Sequence, residues 1–320
     1  MDPTTQKSIK TRICMISDTH TKTPHPSPCT DKAYRHPLPK ADVLLHAGDL
    51  TQIGRLPEHE LMVGMLKQAD AELKLVIAGN HDISLDKKYY ARRGAARHGS
   101  ARVEDPDEIK SLYTNDEARQ AGIVYMEEEV KTFELKNGAR FTVYASPYTP
   151  EFCGWAFAYE RNEDRFNLPD SSSPPQQVEG GKKFQASNPV PSFPEVDIML
   201  THGPPLGILD QVVYGKRVGC EHLLKACTRA RPRLHVFGHI HEGFGAVRHN
   251  WVTSTTETIP QDSETVREQR SCYYNIGNDG ENQPLVFGEE TLFVNASVVT
   301  VRYHADNAPW VVDLDLPAVS

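Results

Sequence analysis

Five times along this chain a short apolar run stops at a small polar cluster. RICMIS leads to Asp18-Thr-His20, DVLLHA to Gly48-Asp49, and LKLVIA to Gly79-Asn80-His81-Asp82; VDIML leads to His202-Gly203, and RLHVF to Gly238-His239-Ile-His241. Runs this short and this continuous fit strands covered on both faces. Between the second and third runs, PEHELMVGMLKQADAE has Pro57 at a first helical turn and one stripe of Leu61, Met62, Met65, Leu66 and Ala69. That is a crossover helix, so the sheet is parallel there and the class is α/β. The carboxyl ends of parallel strands face one side, where α/β proteins keep their ligands, so the five clusters are expected to converge.

The rest of the chain is less regular. Residues 123 to 146 run from GIVYMEEE and VKTFEL through Asn137-Gly138, a hairpin signal, into ARFTVYAS, which predicts antiparallel strands after the parallel ones. An aromatic loop follows, SPYTPEFCGWAFAYER, and residues 162–195, with DSSSPPQQVEGG, read as a flexible insertion. A helix is expected near 218 to 230, where Cys220, Leu223, Leu224 and Cys227 trace a buried face. Residues 252–289 form a second polar insertion, followed by strand candidates TLFVNASVVTV and PWVVDLDL. The whole, 1–320, reads as one domain with insertions. Asn295-Ala-Ser297 is formally a glycosylation sequon, but it lies inside a strand and is set aside.

Composition removes several classes. With 38% apolar residues in 320 the chain can bury a large core, and no stretch approaches the roughly 18 consecutive apolar residues of a membrane span. The opening MDPTTQKSIKTR lacks the apolar region of a secretory signal and LPAVS is no lipidation or peroxisomal address, so a cytoplasmic protein is expected. Six scattered cysteines (Cys14, Cys29, Cys153, Cys220, Cys227, Cys272) without a CxxC pair read as reduced thiols. A net charge of −8 without a long basic run argues against duplex nucleic acid as a partner.

Converging Asp, Asn and His offer hard oxygen and imidazole nitrogen, a donor set for Mn, Fe, Zn or Mg rather than Cu(I) or an iron–sulfur cluster. The clusters hold more donors than one tetrahedral ion takes. Two divalent ions about 4 Å apart, bridged by one carboxylate, would use them, and such pairs activate water for in-line attack at phosphorus. Two carboxylates against two such ions leave a net charge of about +2, a field that draws phosphate anions. Phosphoester hydrolysis is the chemistry these residues suit.

The series DxH, GD, GNHD, H and GHxH, spanning residues 12 to 245, resembles the calcineurin-like metallophosphoesterase superfamily. HAGDLT, AGNHD, SPYTPEFCGWAF, LTHGPP and FGHIHEGFG are similar to the subfamily of fetal-brain metallophosphoesterase domain-containing proteins and its fungal relatives. The resemblance implies a four-layer fold, two mixed β-sheets in a sandwich flanked by helices, with a dinuclear site at the strand ends. By matching position it implies that Asp18, His20 and His241 hold a first metal, that Asn80, His202 and His239 hold a second, and that Asp49 bridges them. It also implies that His81 contacts the phosphate, stabilising charge or protonating the leaving oxygen, and that Asp82 orients His81 or a ligand. Manganese is expected, with Fe, Zn, Mg or Ni as alternatives. Two departures matter. Asp49 is followed by LTQIG, without the VDRG arginine of the Ser/Thr protein phosphatase branch, and Gln52 stands where the purple acid phosphatase branch has its tyrosine ligand.

The reading is thus a phosphodiesterase or phosphomonoesterase on small, nucleotide-like phosphoesters. Its competitors are a low-activity scaffold or sensor that keeps the metal site, and a nuclease of the same superfamily, which the acidic charge disfavours. His46, His222, His235 and His249 read as hydrogen-bonded core residues. Tyr148, Phe152, Trp155, Phe157 and Tyr159 read as core-filling rather than substrate-contacting. Substrate choice is expected to reside in residues 21–40, 147–160 and 252–289, and oligomeric state is not legible.

Overall fold

The computed structural model describes residues 7–26, 31–168 and 184–319. Four strands come first and lie side by side in parallel: β1 (Ser8–Ile16), β2 (Val43–His46), β3 (Leu73–Val76) and β4 (Ile123–Tyr125). The crossover helix α1 (Leu56–Gln68) joins β2 to β3, and its start is fixed by Pro57 and by Glu58, whose carboxylate accepts from the Arg55 and Ile53 N–H groups. Between β3 and β4 run α2 (Lys87–His98), α3 (Pro106–Thr114) and the short α4 (Asp116–Gln120). β4 departs from the sequence expectation that residues 123 to 146 are antiparallel, because it pairs in parallel with β3.

The hairpin predicted at Asn137-Gly138 is formed by β5 (Glu129–Glu134) and β6 (Arg140–Ser146). After the two-residue strands β7 (Thr149–Pro150) and β8 (Ala158–Tyr159) come β9 (Ile198–Thr201), α5 (Glu221–Ala230) and β10 (Leu234–Phe237). β11 (Gly245–Asn250) and β12 (Thr255–Thr258) follow, then α6 (Ser263–Gln269), β13 (Cys272–Asn275), β14 (Glu290–Asn295) and β15 (Trp310–Pro317). The stretch 252–289, expected to be an insertion, therefore holds β12, α6 and β13. Of the other expected insertion, residues 169–183 lie outside the described residues; what flanks them packs, with Phe166 and Val190 buried and their carbonyls bonded by Arg229.

The strands form two mixed sheets, in the orders β13-β15-β1-β2-β3-β4 and β12-β11-β14-β10-β9-β6-β5. Alternation along the strands assigns the layers. In β1, Ile13 and Met15 face the second sheet and share a core with Val143, Leu200 and Val236, whereas Ile16 faces the helix layer and shares a core with Met62 and Leu66. In the second sheet, Met199 and Phe293 point the other way and pack on Leu223 and Cys227 of α5. Helix, sheet, sheet, helix is the resulting order, the four-layer architecture expected of the sequence. Cys220 caps α5 through its thiol and Cys227 lies on its buried face; the five described cysteines are free thiols, and Cys29 is outside the described residues. No described helix is long and apolar enough to cross a membrane.

The parallel strands of both sheets end at the same edge, and backbone bonds tie those ends together. Asp18 N–H donates to the Gly48 carbonyl, Ser17 N–H to Ala296, and Gly238 N–H to His202. The first and third join neighbouring strand ends within one sheet and the bond to Ala296 crosses from one sheet to the other, so the five polar clusters close on one pocket.

Candidate metal centre

Asp18, His20, Asp49 and His239 all have left-handed backbone conformations, with φ of 51°, 42°, 53° and 66°. Non-glycine residues rarely adopt this region, at a cost of about 1–3 kcal/mol each, and such strain concentrates at functional sites. Here it turns the side chains back over the strand ends. Glycines make room: a Cβ on Gly79 would lie 2.3 Å from the Asp49 backbone nitrogen, and one on Gly238 would lie 1.9 Å from an Asp18 carboxylate oxygen.

The donors then gather into three overlapping groups: Asp18, His20 and His241; His20, Asp49 and His81; and Asp49, His202 and His239. Within each, the candidate ligand atoms lie within 4.8 Å of one another. Asp49 Oδ2 is 3.7 Å from His20 Nε2 and 3.4 Å from His202 Nε2, while its Oδ1 accepts the His81 N–H at 2.8 Å. Asn80 Oδ1 is 3.0 Å from His202 Nε2, and His241 Nε2 is 3.4 Å from Asp18 Oδ1. All seven residues expected as ligands are therefore brought together, with His81 beside them.

The histidines are also oriented for coordination. His20 Nδ1–H donates to Thr51 O, His81 Nδ1–H to Gln52 O, and His202 Nδ1–H to Ala47 O, at 3.1, 2.7 and 2.8 Å. A carbonyl can only accept, so the proton sits on Nδ1 and the Nε2 lone pair faces the pocket, the usual arrangement behind metal-bound imidazole. His20 Nε2 is buried and has no hydrogen-bond partner, although such atoms are normally satisfied. A cation beside Asp49 would satisfy it.

Charges in the pocket are strongly coupled. Burial opposes ionisation of Asp18, but the hydrogen bond and charge of His241, with His202, outweigh it and hold the carboxyl at about 2. Burial lowers His20 to about 4 and His239 to about 3, so both stay neutral and free to ligate. Burial works against a charge on His202 as well, but the Asp49 charge and hydrogen bond win and lift it to about 9. Without metal, protons thus stand in for cations. In that state the His202 shift stabilises the fold below pH 6.5 and the contribution is lost as pH rises through about 9. A metal held by His202 would have to expel its proton, so affinity at that position is expected to rise by about tenfold per pH unit at neutral pH and to flatten above about 9. Calorimetry in buffers of differing ionisation enthalpy should show proton release on binding; affinity independent of pH would contradict this arrangement.

Around the ligands, Asp82 accepts from the N–H groups of Leu50, Thr51 and Gly79 and from the Thr51 hydroxyl, so it fastens the Asp49 loop to the loop of Asn80 and His81. Burial first, then the Asp49 charge, raises it to about 6. These bonds join the loops that carry Asp49 and Asn80, and none of them reaches the His81 ring. His46 is a buried core residue bonded to Thr19, and His235 is bonded to Thr201 and Cys227. His222 and His249 are only half-buried, paired with Asp164 and Thr256, so the core reading fails for them. Phe157 and Tyr159 fill the core as expected, but Trp155 stacks on His81 and Phe152 is 61% exposed.

Two residues bear on the pocket in ways the sequence does not show. Asn295 is fully buried, where no glycan reaches it, and donates to the Ile240 carbonyl between the two histidines. Tyr303 places its ring 4.8 Å from that of His20 and 5.2 Å from that of His241.

Comparison with known proteins agrees with this geometry. Residues 11–243 match the family model described as "Calcineurin-like phosphoesterase". The "Metallophosphoesterase domain-containing protein 1" of Homo sapiens is 33% identical over 315 residues, 96% of this chain and 72% of that protein. "UPF0046 protein T07D4.2" of Caenorhabditis elegans is 30% identical over 261 residues, 78% of this chain and 55% of that protein. "Probable rhamnogalacturonate lyase C" of Emericella nidulans is 32% identical over 234 residues, which are 73% of this chain and 17% of that protein.

Proposed function

The chain belongs to the calcineurin-like phosphoesterase family, and from that premise we propose that it is a two-metal hydrolase of small phosphoesters, diesters or monoesters. One observation carries the reading: Asp49 Oδ2 stands between His20 Nε2 and His202 Nε2, at 3.7 and 3.4 Å, where a single carboxylate can serve both ions. Asp18, His20, Asp49 and His241 would hold the first, and Asp49, Asn80, His202 and His239 the second. Manganese is the metal we assign to a set with this mixture of carboxylate, amide and imidazole donors. Bound ions would supply Lewis-acid neutralisation of phosphoryl oxygens and an activated water.

The chain's own residues do the rest. Because His81 gives Nδ1–H to Gln52 O, its Nε2 is the atom left to hold or move a proton at the leaving oxygen. It sits at the rim, half-buried, while Asp18 and His20 lie at the floor, fully buried. The five free thiols among the described residues suit a reducing compartment, and we place the protein in the cytoplasm.

The test is elemental analysis of the purified protein, followed by hydrolysis of an aryl phosphodiester, an aryl monoester and single-stranded DNA with Mn²⁺. The expected result is two ions per chain and turnover of an aryl ester that a chelator abolishes. His81→Ala is expected to keep both ions and to lower kcat by about 10²- to 10⁴-fold. Bound metal without turnover of any substrate would make the chain a sensor or scaffold, and cleavage confined to DNA would make it a nuclease.

A further inference from the structure

His81 is held by more than the carbonyl of Gln52. One face of its imidazole lies on the indole of Trp155, with ring centres 4.0 Å apart and planes 26° from parallel. The His20 ring closes one side edge-on at 4.7 Å. On Trp155 a second partner stacks: the Arg97 guanidinium carbon is 4.3 Å from the ring centre. Arg97 belongs to α2, not to any strand-end loop, and is itself fixed, donating from Nε to the Tyr89 hydroxyl and through its second guanidinium nitrogen to Gly154 O, both at 2.9 Å. Tyr89 also donates to Gly154 O at 2.8 Å. The aromatic loop is thus pinned to α2 beside the tryptophan, which is clamped against His81.

A hydrogen bond to one carbonyl fixes one atom of an imidazole but leaves the ring free to swing about that bond. A flat surface against its face removes this freedom, and a cation held over the other part of that aromatic system is attracted to it and keeps the surface in place. We propose that Trp155, braced by Arg97, is a positioning residue that fixes the plane of His81 and with it the direction of Nε2 toward the leaving oxygen. The role in turnover rests on the phosphohydrolase reading above; the mechanical role does not.

Two measurements test it. In metal-free protein labelled at histidine, with the His81 signals assigned by their loss in His81→Ala, the ring protons are expected upfield from indole ring current, with one Nδ1–H tautomer. Arg97→Ala leaves both rings in the chain, and is expected to shrink that displacement and to let a second tautomer appear. His81 signals unmoved by Arg97→Ala would overturn the clamp. In kinetics, Trp155→Ala is expected to lower kcat by about 10- to 100-fold with KM within about threefold, as misdirection of a catalytic group does. Trp155→Phe, which keeps a flat face, should return to within about threefold of the parent. In a His81→Ala background, Trp155→Ala should cost nothing more, because its effect passes through the imidazole. An additive loss there, or a raised KM with unchanged kcat, would make Trp155 a substrate contact instead. Should the parent hydrolyse no phosphoester, the proposed function fails, and the resonance arm alone decides the clamp.

Discussion

Replacing Asp49 by Asn is expected to remove metal binding and hydrolysis together while leaving a folded chain. The substitution is nearly isosteric, and its amide oxygen can keep the bond that Oδ1 now accepts from the His81 N–H at 2.8 Å. The amide nitrogen must then take the place of Oδ2, facing His20 and His202 at 3.7 and 3.4 Å. An amide NH₂ only donates and has no lone pair for a metal. Both proposed ions would lose a shared ligand, and the pocket loses one of its two carboxylates, Asp18 and Asp49. On the proposed two-metal reading, loss of a bridging ligand with its charge should reduce kcat/KM by about 10³-fold or more, since bound ions would supply both the nucleophile and charge neutralisation. Metal analysis should fall from two ions per chain to one or none, and melting followed by circular dichroism should stay cooperative. A variant that keeps two ions and its turnover would rule out Asp49 as the bridge.

The candidate ligands are legible because two signals coincide at each of them: a residue type that can bind metal, and a place just beyond a continuous apolar strand. Neither needs distant information. Elements whose burial comes from polar or aromatic side chains were invisible. α2, KKYYARRGAARH, has no apolar stripe; it buries Tyr89, Tyr90, Gly94 and His98, and Tyr90 and His98 bond to each other at 2.7 Å. Periodicity of aliphatic residues cannot find such a helix. β12 is exposed along its whole length, so no alternation marks it, and β4 has three residues, too few to show whether its neighbour runs parallel. Tyr303 follows a turn in which Tyr303 N–H bonds Thr300 O, and nothing in the local sequence says that this turn overhangs His20 and His241. Trp155 was read as core because large aromatics usually are; only the arrival of α2 from elsewhere in the chain shows what it stacks on.

Gly238→Ala is the substitution expected to hurt most outside the ligands themselves. The added methyl would stand 1.9 Å from Asp18 Oδ2, 2.2 Å from Ser17 Oγ and 2.7 Å from Ser17 Cβ, all well inside van der Waals contact. None of these atoms has somewhere to go. Asp18 accepts the His239 N–H through both oxygens at 3.1 and 3.0 Å, and Ser17 bonds across to the segment after β14 through Ala296 O. Relief must come from moving the loop that bears His239 and His241, which would separate one proposed ligand of each ion from its partners. Overpacking in a rigid site costs about 1–3 kcal/mol, and breaking the bonds to a buried carboxylate adds a comparable amount, so a fall of several degrees or more in the melting temperature is expected. Affinity for both ions should drop with it, unlike in a variant that only destabilises the core far from the strand ends. A Gly238→Ala protein with parental melting temperature and two bound ions would mean that the strand ends are not packed against one another as closely as Asp18 and Gly238 are here.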